Sequence, residues 1–283
     1  MSNSATVVEA TSTRHVVFRT RGRQHGPVTR LMSPSDLGEK LRPFVFLDRV
    51  DTDGISAQGF GLHPHSGIAT ITWMMEGSGG YEDTVGRTGQ ISKGGLEWMH
   101  AGGGAWHGGD FGDGGPVRGF QLWIALPPEA ELGKAESIYL EGDAIERDGP
   151  AAVLLGRYGA AKSSIETPSP ITYLSVKLKA GERWRFQPPK GQTVGWTAIS
   201  RGTLTAPDPL DAGELVIFDE SDDAIEFLAE TDTEFVVGSA VKHPHDLVLG
   251  YYSVHTSAAA LREGETRIQD IAVQLRKEGR LRR

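Results

Sequence analysis

Short apolar runs, each closed by glycine, proline or a turn-forming pair, follow one another along most of this chain. His15-Val16-Val17-Phe18-Arg19 predicts a first strand, and Pro43-Phe44-Val45-Phe46-Leu47-Asp48 a second apolar run. Ile68-Ala69-Thr70-Ile71-Thr72-Trp73-Met74-Met75 is β-branched and aromatic and stops at Glu76-Gly77. Tyr81-Glu82-Asp83-Thr84 leads to a turn at Gly86-Arg87. Leu96-Glu97-Trp98-Met99-His100 precedes a glycine cluster, and 119–126 is apolar up to Pro127-Pro128. Such runs between turn signals read as strands. From Pro127 to about Pro170 the composition is mixed and reads as a connector. A second set of strand-like runs follows at 171–176, 193–199, 214–218, 224–228 and 234–238. Two successive sets at hairpin spacing predict two β-barrels or sandwiches. The chain end differs: Ile268, Ile271, Ala272 and Leu275 fall at helical spacing and predict an amphipathic helix. Its basic end (Arg276, Lys277, Arg280, Arg282, Arg283) suits the negative end of the helix dipole.

Composition narrows the chemistry. The 37 glycines have no collagen-like period and suit a protein rich in tight turns. There is no cysteine, which excludes disulfides, thiolate nucleophiles, cysteine zinc sites and iron–sulfur clusters. A net charge of −8 argues against a nucleic-acid or anionic-membrane surface. No apolar run reaches the roughly 18 residues of a membrane span, and the first twenty residues lack a signal-peptide pattern. Cytoplasmic location is the expectation.

The candidate chemistry lies in Gly61-Leu62-His63-Pro64-His65-Ser66-Gly67 and in Ala101-Gly102-Gly103-Gly104-Ala105-Trp106-His107. Histidines at i and i+2 on a strand share a face, roughly 6.5 Å apart. Pro64 fixes its own φ and pushes His63 toward the extended region. Imidazoles so placed can converge on one metal ion, since metal–nitrogen bonds are about 2 Å long. His107 adds a third ligand if the fold apposes the two segments. The competing reading makes His63 and His65 ordinary polar residues of a barrel. Gly102-Gly103-Gly104 lacks the lysine and helix of a phosphate loop and reads as a tight turn. His243-Pro244-His245 repeats the HPH pattern without a third ligand nearby and reads as structural. No nucleophile-elbow pattern is present. Trp73, Trp98 and Trp123 read mainly as core, and Trp106, beside His107, as the tryptophan placed to touch a pocket.

The residues resemble a known family. His63-Pro64-His65-Ser66-Gly67, the strand ending Met75-Glu76-Gly77, Trp98-Met99-His100-Ala101-Gly102-Gly103-Gly104 and Gln121-Leu122-Trp123-Ile124-Ala125-Leu126-Pro127 are similar to the N-terminal domain of pirins, bicupins of the cupin superfamily. His243-Pro244-His245-Asp246-Leu247 through Gly250 to Val254-His255-Thr256 resembles a diverged form of that family's closing motif. The resemblance implies an all-β fold of two tandem cupin domains, jelly-roll β-barrels, with a C-terminal α-helix. The expected division is 1–130 for an N-terminal domain with the metal site, 131–170 for a connector, and 171–283 for a C-terminal domain with the helix. It also implies one metal, usually iron, in the N-terminal barrel. Some members are quercetin 2,3-dioxygenases; others act as nuclear or metabolic regulators without established catalysis.

The family site is three histidines and one glutamate. His63, His65 and His107 match the histidines, but Gly109 stands where the glutamate belongs, and Ala69 where cupins often carry an acid after the HxH pair. A carboxylate helps neutralise a divalent cation and is a candidate base toward a substrate hydroxyl. Glycine does neither. Asp110 turns inward only if Gly108-Gly109 forms a bulge; His100 is expected on a neighbouring loop. Three-histidine sites hold zinc, copper or iron. The expectation is therefore a divalent-metal oxygenase of the quercetin 2,3-dioxygenase type, with an atypical three-histidine site and a small aromatic or enediol substrate. The alternative is a non-catalytic pirin-like protein that senses metal or redox state, or binds a protein partner, with or without a metal. Glutamate restored at position 109 is expected to raise iron affinity.

Overall fold

A computed structural model describes residues 13–53, 59–110 and 115–281. The polar start of the chain and Arg282 and Arg283 lie outside the described residues. The remainder is built of antiparallel strands in two successive sets, each a seven-stranded sheet with a four-stranded sheet. The expected fold class is what the structure has: two tandem cupin barrels and a C-terminal helix.

In the first set, the strand Ile68–Glu76 lies between Leu96–His100 and Val117–Ala125 in the seven-stranded sheet. Its residues are buried on both faces, which explains why it reads as a continuous apolar run. The side chains of Ala69, Ile71, Trp73 and Met75 join a core shared with the second set. Across that core Phe44 meets Trp196 edge-on, with ring centroids 5.5 Å apart. The alternate positions turn into the first barrel, and several are polar: Thr70 and Thr72, with Glu97 and Gln121 from the neighbouring strands. The four-stranded sheet runs Phe60–His65, Ala105–Gly109, Gly79–Asp83, Thr88–Ile91.

The second set is filled differently. Trp184, Phe186, Phe218, Phe227 and Phe235 pack its interior with Leu204, Val216 and Val237. The rings stack on one another, and Trp184 Nε1 donates to the Tyr158 hydroxyl. The second barrel is a packed core; the first keeps a cavity.

Three connections cross between the sets. The strand Val16–Thr20 pairs with Leu215–Phe218 of the second sheet rather than with the first. Arg14, fully buried, anchors it by donating to the carbonyls of Asp223, Thr193 and Gln192. The stretch expected as a connector carries strands: Glu136–Leu140 extends the first sheet, and Ala151–Leu155 the second. Its small apolar residues take part in both cores. Helix α1, Leu37–Lys40, is a single turn. Helix α2, Ala258–Lys277, starts at a Ser257 cap whose Oγ accepts from Ala260 N–H. The helix buries Ala260, Gly264, Ile268, Ala272 and Leu275, a stripe at the expected spacing. That stripe packs on the first barrel: Trp106 Nε1 donates to Ile268 O at 2.9 Å. No helix among the described residues is long and apolar enough to cross a membrane.

Arg118 joins the barrels. It is 4% exposed and donates to Glu76 of its own barrel (2.7 Å) and to Glu234 (2.8 Å) and Ser200 (3.1 Å) of the other. Removing the cation leaves two facing carboxylates with reduced compensation, a cost of about 2–3 kcal/mol. Arg118→Ala is therefore expected to lower the thermal midpoint by several degrees in a calorimetric scan. An unchanged midpoint would show that the cation does not hold the barrels together.

Candidate metal centre

His63 and His65 lie on Phe60–His65, and His107 on its neighbour Ala105–Gly109, where His107 stands directly opposite His63. Strand register thus sets the cluster. The ring centroids lie 4.6 to 5.1 Å apart, and one nitrogen from each ring lies within 4.8 Å of the other two.

Each ring's other nitrogen is occupied. His63 Nδ1 donates to Gly61 O at 2.9 Å and His65 Nδ1 to Tyr252 O at 3.2 Å. Carbonyls only accept, so these two rings carry the proton on Nδ1 and leave the Nε2 lone pair free. His107 Nδ1 meets Glu97 Oε1 at 2.7 Å. The Nε2 atoms of His65 and His107 are buried without a hydrogen-bond partner. Buried orphan acceptors are costly, and a cation bound by these two lone pairs together with that of His63 would remove the cost. The donor set fits a metal ion.

Electrostatics point the same way. Burial, reinforced by the neighbouring His107, lowers the His63 pKa to about 4; burial likewise pushes His65 well below the ordinary histidine value. Both rings are neutral near pH 7, as ligands must be. Burial alone would raise the Glu97 carboxyl, but His107, by charge and hydrogen bond, and the Thr72 hydroxyl hold it below the usual carboxylate range. Glu97 is only 5% exposed, and Thr72 Oγ1 donates to its Oε2 at 3.0 Å. A carboxylate bonded to the far nitrogen of a ligating histidine fixes the ring and makes it more basic.

Glu97 was not singled out by motif. Its signal is a lone acid between Leu96 and Trp98 in an otherwise apolar strand, which the alternation of faces turns into the barrel. The Tyr252 carbonyl, 187 residues from His65, leaves no side-chain trace in the sequence.

The pairing of Ala105–Gly109 with Phe60–His65 does shift between His107 and Gly109, yet Asp110 is exposed and its Oδ1 accepts from Gly80 N–H at 2.8 Å. A Cβ on Gly109 would lie 2.1 Å from Gly80 O; the strand packing leaves no room for a glutamate. Trp106 faces helix α2, not the cavity, because it alternates with His107. His100 ends the strand Leu96–His100, paired with Ala69. His243 is buried, its Nε2 3.4 Å from Leu126 O, whereas His245 is exposed. Among the described residues the group able to hold a metal is His63, His65 and His107. Ala101 to Gly104 form a turn closed by Gly104 N–H donating to Ala101 O.

A cavity of about 90 Å³ opens beside the histidines, below the usual volume of drug-sized sites. His63, His107 and Glu97 line it, with Phe60, Met74 and Tyr81. His65 lies behind, against Trp123 at 4.6 Å.

Comparison with known proteins fits this arrangement. A family model described as Pirin matches residues 26–124. A Pseudomonas aeruginosa protein, provisionally named a quercetin 2,3-dioxygenase, is 31% identical over 243 residues, 80% of this chain and 84% of its own. A pirin-like protein of Caulobacter vibrioides is 32% identical over 233 residues, 77% and 82% of the two chains. The crystal structure of a quercetin 2,3-dioxygenase from Acinetobacter baumannii superposes with a TM-score of 0.80 at 25% identity, covering 90% of this chain and 96% of that one. With relatives matched over most of their length, this chain belongs to the pirin family.

Proposed function

We propose that the chain is a metal-dependent oxygenase of the quercetin 2,3-dioxygenase type, with His63, His65 and His107 holding one divalent ion, iron by analogy with the family. The observation that carries this reading is the convergence of three histidines, two with orphaned Nε2 atoms, at the wall of a largely apolar cavity. Bound there, such an ion supplies Lewis acidity toward substrate oxygens and, as iron, electron exchange with dioxygen. The chain supplies the rest. Phe60, Met74 and Tyr81 offer apolar surface to a planar ring. Gly61 O, Tyr252 O and Glu97 fix the three imidazoles. The barrel wall keeps bulk water from His65 and Glu97, which strengthens every charge interaction inside. The names of the Pseudomonas and Acinetobacter relatives support a flavonol-like substrate.

A second reading, a non-catalytic protein that senses metal or redox state, is favoured by Gly109, which leaves no carboxylate at the family's ligand position.

Elemental analysis of protein purified without a metal-affinity tag, with oxygen consumption on flavonols, tests the first reading. About one transition-metal ion per chain with turnover is expected; metal without turnover selects the second reading. His107→Ala is expected to abolish metal retention, and stoichiometric metal in that variant would assign the third ligand elsewhere. Glu97→Gln keeps the shape but removes the charge behind His107. Its metal affinity should fall roughly 10- to 100-fold in a chelator competition; wild-type affinity would reduce Glu97 to packing. Gly109→Glu, expected from the motif alone to tighten iron binding, is now expected to lower thermal stability without doing so, because its Cβ overlaps Gly80 O. Tighter binding would show that the strand Gly79–Asp83 yields.

A further inference from the structure

The end of the chain reaches the first barrel beside both metal-ligand strands. Tyr252 O accepts from His65 Nδ1. Next along the HPHSG segment, Ser66 Oγ lies 2.9 Å from Ser253 Oγ and 3.0 Å from His255 Nε2. Ser66 O accepts from Val254 N–H, and a Cβ on Gly67 would lie 2.0 Å from Val254 O. Glu131, at the end of the first barrel, closes the clasp. Its carboxylate meets His255 Nδ1 at 3.1 Å and accepts from Thr256 N–H and Oγ1–H, both at 2.6 Å. On the other ligand strand Trp106, adjacent to His107, donates to Ile268 O of helix α2.

Ser66, His255 and Glu131 have the connectivity of a hydrolytic triad, but all three are buried. Helix α2 seals them: a Cβ on Gly264 would come within 2.5 Å of His255 Nε2 and 2.6 Å of Ser66 Oγ. No substrate carbonyl reaches that serine. The group is a joint, and what it joins is the chain end to the residue after His65.

We propose that the clasp of Ser66, Ser253, His255 and Glu131 is positioning machinery for His65, so that metal binding and docking of the arm 252–277 are coupled. The inference rests on the three-histidine metal reading. The clasp holds the Tyr252 carbonyl against Nδ1, which keeps the His65 proton on that nitrogen and Nε2 free for the ion. An ion on Nε2 in turn polarises the Nδ1–H bond and tightens the grip on Tyr252. The coupling is therefore reciprocal: a docked arm raises metal affinity, and metal raises protection of the arm. Helix α2 thereby presents the state of a buried centre on the outside of the molecule.

The test uses cobalt(II) as probe with the full-length chain, measuring affinity by competition, the visible cobalt spectrum, and hydrogen exchange across 250–277 with and without the ion. Glu131→Gln and Gly264→Ala are compared with wild type, the second because it wedges the helix from Ser66 without touching a ligand. Cobalt is expected to slow exchange in the wild-type arm, and both variants to bind it roughly tenfold or more weakly with an altered spectrum. A merely structural clasp would lower thermal midpoints and leave affinity and spectrum unchanged in the folded variants; that result overturns the proposal. So does wild-type cobalt binding with no change in arm exchange, which leaves the metal reading intact. Failure of wild type to take up cobalt overturns the metal reading and the coupling with it. If Glu131→Gln does not fold, Gly264→Ala carries the comparison alone.

Discussion

Three imidazoles with one nitrogen each turned toward the others, two of those nitrogens cut off from water, are the constraint around which the first barrel is arranged. In a dry interior each orphaned lone pair costs free energy, and packing alone offers nothing in return. The strands accept the cost because register leaves no alternative. His107 is opposite His63, a slip of one residue would turn every side chain on the strand to the other face, and each Nδ1 is already bonded to a group that accepts. A divalent cation would satisfy all three nitrogens at once, and the proposed function rests on that fit rather than on the motif.

The two barrels show what the constraint displaces. Both are a seven-stranded sheet with a four-stranded sheet. In the second, Trp184, Phe186, Phe227 and Phe235 fill the interior, and the stability of that half comes from close packing. In the first, Thr72, Glu97, Gln121, His63 and His107 face the interior. Its apolar mass is shifted outward, into the core it shares with the second barrel. The site is affordable because the neighbouring barrel supplies a rigid backing to the sheet that carries Glu97.

How much of this was legible in the sequence follows the same division. The strands, the terminal helix and the three histidines show in local patterns: β-branched runs ending in glycine, apolar positions at helical spacing, an HPH segment held extended by Pro64. Features that depend on distant pairing do not show. Val16–Thr20 reads as the first strand of its own half, but its partner is Leu215–Phe218. Trp106 reads as a pocket residue until the alternation about His107 turns it to helix α2. Tyr252 acts through its carbonyl, which every residue possesses. Glu97 was visible as a letter but not as a role, because only the register of Leu96–His100 against Ile68–Glu76 points it at His107.

A carboxylate at position 97, with none at position 109, has a chemical consequence in the proposed reading. A glutamate bonded directly to the ion cancels charge where the substrate binds. Glu97 acts through the His107 ring, and Thr72 takes its second oxygen, so it stabilises the ligand more than it neutralises the ion. With an ion bound, the centre would keep surplus positive charge facing a largely apolar cavity, where charge is poorly screened. In that reading, a substrate that brings its own anion, an enolate or a phenolate, would complete the balance. On the proposed reading, selectivity would then come from the acidity of the substrate as much as from its fit.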